Sequence, residues 1–174
     1  MKQQHIVLTG AKQVGKSTLL ERLLQHCTVP LGGFLTRSTP RQPDGTHSVY
    51  LYPAGSTERP TETQNHIGDA CFGLKTTHPE VFETLGVQYL SCNHAGLIVM
   101  DELGFMESDA KNFCRAVLNL FDGDTPILAV CKDKPGIPLL DAVRSHPNTK
   151  LYTVTEQNRE ELFEELLPIL LRWN

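Results

Sequence analysis

Residues 10–17 read Gly-Ala-Lys-Gln-Val-Gly-Lys-Ser, wedged between an apolar run and an amphipathic one. No other stretch constrains the chain so tightly. The spacing is that of the phosphate-loop (Walker A) motif G-x-x-x-x-G-K-[ST]. Phosphate oxygens need several donors converging at short range. Backbone N–H groups provide them only where the chain wraps tightly, and glycines permit the dihedrals of such a wrap. A helix starting at the end of the loop adds its positive pole. The context fits. "HIVL" (5–8) is a short apolar run, as in a strand covered on both faces, and Leu19, Leu20, Leu23, Leu24 and Cys27 recur at helical spacing. Gly10, Ala11, Lys12, Gln13, Val14, Gly15, Lys16, Ser17 and Thr18 therefore form the expected phosphate-binding segment. Lys16 is expected to act catalytically by reaching the β- and γ-phosphates, and Ser17 to place its hydroxyl on Mg2+.

A phosphate loop binds but need not hydrolyse. The expected partner is an acid at the end of a buried strand, and "LIVMDE" (97–102) supplies it. Four apolar residues carry the chain through a sheet and Asp101 emerges at the carboxyl end, where open α/β sheets bind ligands. An aspartate there holds Mg2+ opposite Ser17, commonly through a water. Glu102 follows directly and is the candidate catalytic base for an attacking water.

The remaining chain alternates strand and helix patterns. "LGGFLT" (31–36) and "HSVYLY" (47–52) flank a Pro43-Asp44-Gly45 turn signal and predict an antiparallel hairpin. Residues 53–66 are polar and read as a loop. A helix is expected over 78–94, starting at Pro79 and weakened at Gly86. Strands are expected at 96–103, 126–131 and 150–155. The helices between them carry Phe113, Val117 and Phe121, then Leu139, Leu140 and Val143. Leu162, Leu166, Ile169, Leu170 and Trp173 stripe a final helix, with Thr155 or Asn158 as its cap. This alternation predicts an α/β fold: a mostly parallel sheet with helices on both faces and the hairpin as an extension. No composition shift marks a boundary, so 1–174 reads as a single domain.

Charge and cysteine content narrow the partners. A net charge of −4 argues against a nucleic-acid partner gripped through a broad basic face. Cys27, Cys71, Cys92, Cys114 and Cys131 are odd in number and lack C-x-x-C spacing, so buried reduced thiols are expected rather than disulfides or zinc. The seven histidines show no metal-like cluster. No apolar run reaches membrane-spanning length and the first residues do not read as a secretory signal, so the expected location is cytoplasmic, with no membrane partner.

Four segments together resemble a known family, the small P-loop nucleoside-triphosphatases that include the cancer-related nucleoside-triphosphatase and its thermophilic prokaryotic relatives. They are "TGAKQVGKSTLLERL", "LGGFLT", "MDELGFME" and "LYTVTEQNREEL". The resemblance implies a P-loop NTPase fold of the RecA-like kind, a three-layer α/β/α sandwich. It also implies Mg2+-dependent hydrolysis of nucleoside triphosphates to diphosphates with low base selectivity. Phe105 stands where the family usually carries a lysine, Arg37 to Arg41 where acidic residues then an arginine are usual, and "CKDK" where a histidine is often found.

Two other functions share a phosphate loop. A nucleoside or nucleotide kinase needs an acceptor pocket and usually an arginine-rich lid, and no short segment here holds several arginines. A nucleotide-dependent switch or assembly protein would need a partner surface, for which the 53–66 loop is a candidate; the sequence names no protein partner. Arg37 and Arg41 are candidates for charge stabilisation at a γ-phosphate, or else solvated hairpin residues. Lys132 and Lys134 follow a buried strand and fall on the ligand edge, where no Asn-Lys-x-Asp guanine reader occurs.

Overall fold

The computed structural model describes residues 5–174, and residues 73–75 by their backbone alone. Residues 1–4, which belong to the expected 1–174 domain and to the N-terminal stretch read above, lie outside the described residues.

The apolar runs become strands β1 (His5–Thr9), β2 (Leu31–Ser38), β3 (His47–Pro53), β6 (Leu97–Leu103), β7 (Ile127–Cys131) and β8 (Thr149–Thr153). Two more, β4 (His66–Cys71) and β5 (Gly73–Thr77), complete one eight-stranded sheet of order β5-β4-β3-β2-β6-β7-β1-β8. Strands β2, β6, β7, β1 and β8 pair in parallel, while β2 through β5 pair antiparallel. The helices are α1 (Lys16–Leu24), α2 (Pro79–Val81), α3 (Val87–Leu90), α4 (Lys111–Asp122), α5 (Pro138–Ser145) and α6 (Arg159–Leu171).

The continuous apolar runs prove to be two alternating sets. Ile6, Leu8, Leu97, Val99, Leu128 and Val130 face one side, against Leu19, Leu20 and Leu23 of α1 and Leu162, Leu166 and Leu170 of α6. Val7, Ile98, Met100, Ile127 and Ala129 face the other, against Phe113, Val117 and Phe121 of α4 and Leu140 and Val143 of α5. A strand buried on both faces needs apolar residues at every position, which is why these strands read as unbroken runs. The result is three layers, with Trp173 closing the α1–α6 side.

The structure departs from expectation at three places. The antiparallel extension is larger than one hairpin, because the polar stretch after residue 53 leads into β4 and β5. The β4 sequence, His-Ile-Gly-Asp-Ala-Cys, has no clean alternation; Asp69 on it is held by Ser48, His66 and Thr76 instead. The 78–94 helix ends at Leu90 and carries a π turn over Phe82–Gly86. A Cβ on Gly86 would lie 2.7 Å from the Phe113 ring, so the glycine seats α4 rather than weakening the helix. Asn158 takes the N-cap position of α6 but makes no side-chain cap bond to the helix; it and Thr155 bond each other, each side-chain oxygen accepting from the other's backbone N–H, at 2.8 and 3.2 Å.

All five cysteines are free, but only Cys131 is buried, with its thiol pushed up to about 12 chiefly by burial. Among the described residues no helix is long and apolar enough to cross a membrane.

Candidate functional site

The phosphate loop leaves β1 between β7 and β8 and enters α1 directly. Gly10 (φ 134°) and Gly15 (φ 95°) take left-handed values, and a Cβ at Gly10 would lie 2.4 Å from the Val154 carbonyl oxygen. Both the wrap and the close approach of Val154, just after β8, thus require glycine. Lys16 is the first residue of α1 and is only 7% exposed. Its Nζ donates to the carbonyls of Gly10 (3.0 Å) and Ala11 (2.7 Å), across the mouth of the loop.

Strand β6 brings the acids. Its register against β7 shifts between Asp101 and Leu103, at the point where both acids stand. Asp101 is 1% exposed; its Oδ1 accepts from the Ser17 hydroxyl at 2.9 Å and its Oδ2 from Arg37 at 2.8 Å. Burial raises the Asp101 carboxyl above the usual aspartate range, against the opposing pull of Arg37 and Ser17. Glu102 instead lines the cavity, with its Oε1 3.3 Å from the Lys132 Nζ and its backbone N–H donating to Thr36 Oγ1.

One cavity of about 1130 Å3 joins these parts. Gly10, Ala11, Lys12, Gln13, Gly15, Lys16, Ser17 and Thr18 line it, as do Glu102, Arg41, Lys132 and Lys134. Val14 packs on the α1–α6 core instead, and Asp101 and Arg37 do not open onto the cavity. Of the two candidate arginines, Arg41 therefore faces the site while Arg37 is held behind it by Asp101 and Glu21. Both loop lysines lie against the Phe105 ring, with Lys132 Nζ 4.5 Å and Lys134 Nζ 4.8 Å from its centroid.

Glu107 is the residue that sequence reasoning passed over. Its carboxyl is buried beside the cavity, accepts from the Gly104 backbone N–H, and is pushed up to about 7 chiefly by burial. The sequence signal is its place in "MDELGFME", a position that says nothing of its burial.

The donor set suits Mg2+. Ser17 and Asp101 offer hard oxygens next to the loop, and Mg2+ typically takes one or two such groups together with phosphates and water. Among the described residues no cluster of three or more His, Cys, Asp or Glu offers an all-protein metal cage.

A phosphate loop after an interior parallel strand, with Ser17 bonded to Asp101 and with Glu102 in the same cavity, both acids coming from the next strand but one, defines a P-loop NTPase. The chain belongs more narrowly to the NTPase_1 family: the family model described as NTPase matches residues 5–167. The nucleoside-triphosphatase THEP1 of Methanocaldococcus jannaschii is 29% identical over 173 residues, covering 95% of this chain and 96% of that protein. The mouse cancer-related nucleoside-triphosphatase homolog is 26% identical over 184 residues, covering 96% of each. The crystal structure of THEP1 from Aquifex aeolicus superposes with a TM-score of 0.69 at 22% identity, over 95% of this chain and 98% of the other. The solution structure of a human cancer-related nucleoside triphosphatase gives 0.70 at 23% identity, over 97% and 98%. At those identities the structures speak for the fold.

Proposed function

We propose that this protein, as a single domain spanning 1–174, is a cytoplasmic, Mg2+-dependent nucleoside-triphosphatase that hydrolyses ATP, GTP and other nucleoside triphosphates to diphosphate and phosphate. The observation that carries this reading is the meeting of Glu102 with the phosphate loop in one cavity. The names of the relatives at 29% and 26% identity agree with it.

In this reading the loop N–H groups and Lys16 hold the phosphates, Lys16 exchanging two carbonyl acceptors for charged oxygens. Ser17 and Asp101 would hold Mg2+, which supplies charge neutralisation at the β- and γ-phosphates. Glu102 orients a water and accepts its proton as the oxygen attacks the γ-phosphorus and the bridging bond to the β-phosphate breaks. Lys132 keeps a cation beside Glu102 on the cavity side.

The Lys132-Asp133-Lys134 stretch after β7 lacks a guanine-reading motif, which counts against a dedicated guanine reader and supports low base selectivity. The test is phosphate release across ribo- and deoxynucleoside triphosphates with Mg2+. Comparable efficiencies for ATP, GTP and CTP are expected; a preference above about a hundredfold for one base would contradict this reading. A kinase reading draws on one observation, the extension of the cavity past the loop to His47, Val49 and Ile67 on β3 and β4. Phosphate transfer to an added nucleoside or monophosphate, in place of release to water, would favour it.

A further inference from the structure

Of the two proposed ligands, Ser17 lines the cavity, whereas Asp101 is buried and bonded to Arg37. The guanidinium reaches three elements at once. One nitrogen donates to Asp101 Oδ2 on β6 at 2.8 Å and to its own strand's Thr36 carbonyl at 2.7 Å. The other donates to Glu21 Oε1 on α1 at 2.6 Å. With Ser17 on Oδ1, both oxygens of a carboxylate that is 1% exposed are taken, one of them by a full positive charge.

We propose that Arg37 is a built-in counter-cation of the metal site and sets the protein's Mg2+ requirement. The inference rests on the reading that Ser17 and Asp101 hold the metal. A buried carboxylate is costly to leave unpaired, and Arg37 meets that need within the chain. The same negative charge is what would attract Mg2+. Two cations close to one carboxylate repel each other, most strongly away from water. Arg37 and Mg2+ therefore compete for Asp101, and the metal binds as the guanidinium withdraws. Glu21 makes withdrawal possible: it already holds the other nitrogen and its side chain is 55% exposed, so the released arginine keeps a partner. Arg37 is thus a positioning residue whose grip is divided between a ligand carboxylate and a helix-surface carboxylate.

The two sides of that division make opposite predictions. Equilibrium binding of a fluorescent ATP analogue is measured at pH 8 while Mg2+ is titrated, with an EDTA reference for metal-free binding. In Arg37→Gln the half-saturating Mg2+ concentration should fall by about tenfold or more, with metal-free binding changed by less than about threefold. In Glu21→Gln, which alters only an exposed helix position and remains informative if Arg37→Gln does not fold, the half-saturating concentration should rise. A merely structural arginine would give no shift, or shifts of the same sign, and either result overturns the proposal. Asp101→Asn separates the underlying reading: if that variant keeps the parent's Mg2+ dependence, Asp101 is not a ligand and the site assignment fails with the inference.

Discussion

Lys16 bonds to its own loop in this structure, donating to the carbonyls of Gly10 and Ala11. A bound triphosphate would replace two neutral acceptors with charged ones, which strengthens each bond. Lys16→Ala is expected to lose about 1.5–3 kcal/mol of triphosphate affinity, about one to two decades in Kd. Titration calorimetry reads this directly, and unchanged affinity would contradict the role. At this scale the sequence was informative wherever a residue's neighbours in the chain define its role. The loop and the "LIVMDE" acid were legible because a strand, a turn and a helix follow one another locally. The Arg37–Asp101 pair joins residues 64 positions apart and the burial of Glu107 depends on how its loop closes, so neither could be read before the fold was known.

At the scale of elements, the approach of β2 to β6 governs the site, since it sets Thr36 against Glu102 and Arg37 against Asp101. Gly33 permits that approach: φ is 93°, and an added Cβ would lie 2.0 Å from the Val99 carbonyl oxygen. Gly33→Ala combines a left-handed non-glycine residue with a backbone clash, and should cost more than about 2 kcal/mol of stability. Urea unfolding measures this, and a variant as stable as the parent would contradict the packing argument. Strands β1, β6 and β7 were legible because burial on two faces leaves an unmistakable apolar run, whereas the edge strand β8 showed only alternation. The antiparallel β4–β5 extension was not legible, because polar side chains and hydrogen bonds to β3 stand where apolar alternation would signal a strand. The π turn packs Phe82 and Gly86 against Phe113, nearly thirty residues further along, a contact that the local sequence does not show.

For the molecule as a whole, Glu107 ties stability to pH. Its carboxyl moves from 4.5 to about 7 on folding. Between those values the folded state holds a proton that the unfolded chain releases. This contribution is fully present below the unfolded value and is lost as pH rises through about 7, for a total of about 3 kcal/mol. Urea unfolding of nucleotide-free protein should show Glu107→Gln gaining on the parent by about that amount between pH 4.5 and 8; parallel profiles would contradict it. The central claim, that one cavity both holds a triphosphate and cleaves it with water, turns on Glu102. Replacing it with glutamine preserves size and hydrogen bonding but removes basicity. Single-turnover hydrolysis of ATP, measured beside equilibrium binding of ATP and Mg2+, separates the two functions. The expected result is hydrolysis reduced by at least about a hundredfold with binding near that of the parent. Hydrolysis within a few-fold of the parent would contradict the assignment of Glu102 and, with it, the proposed chemistry of the site.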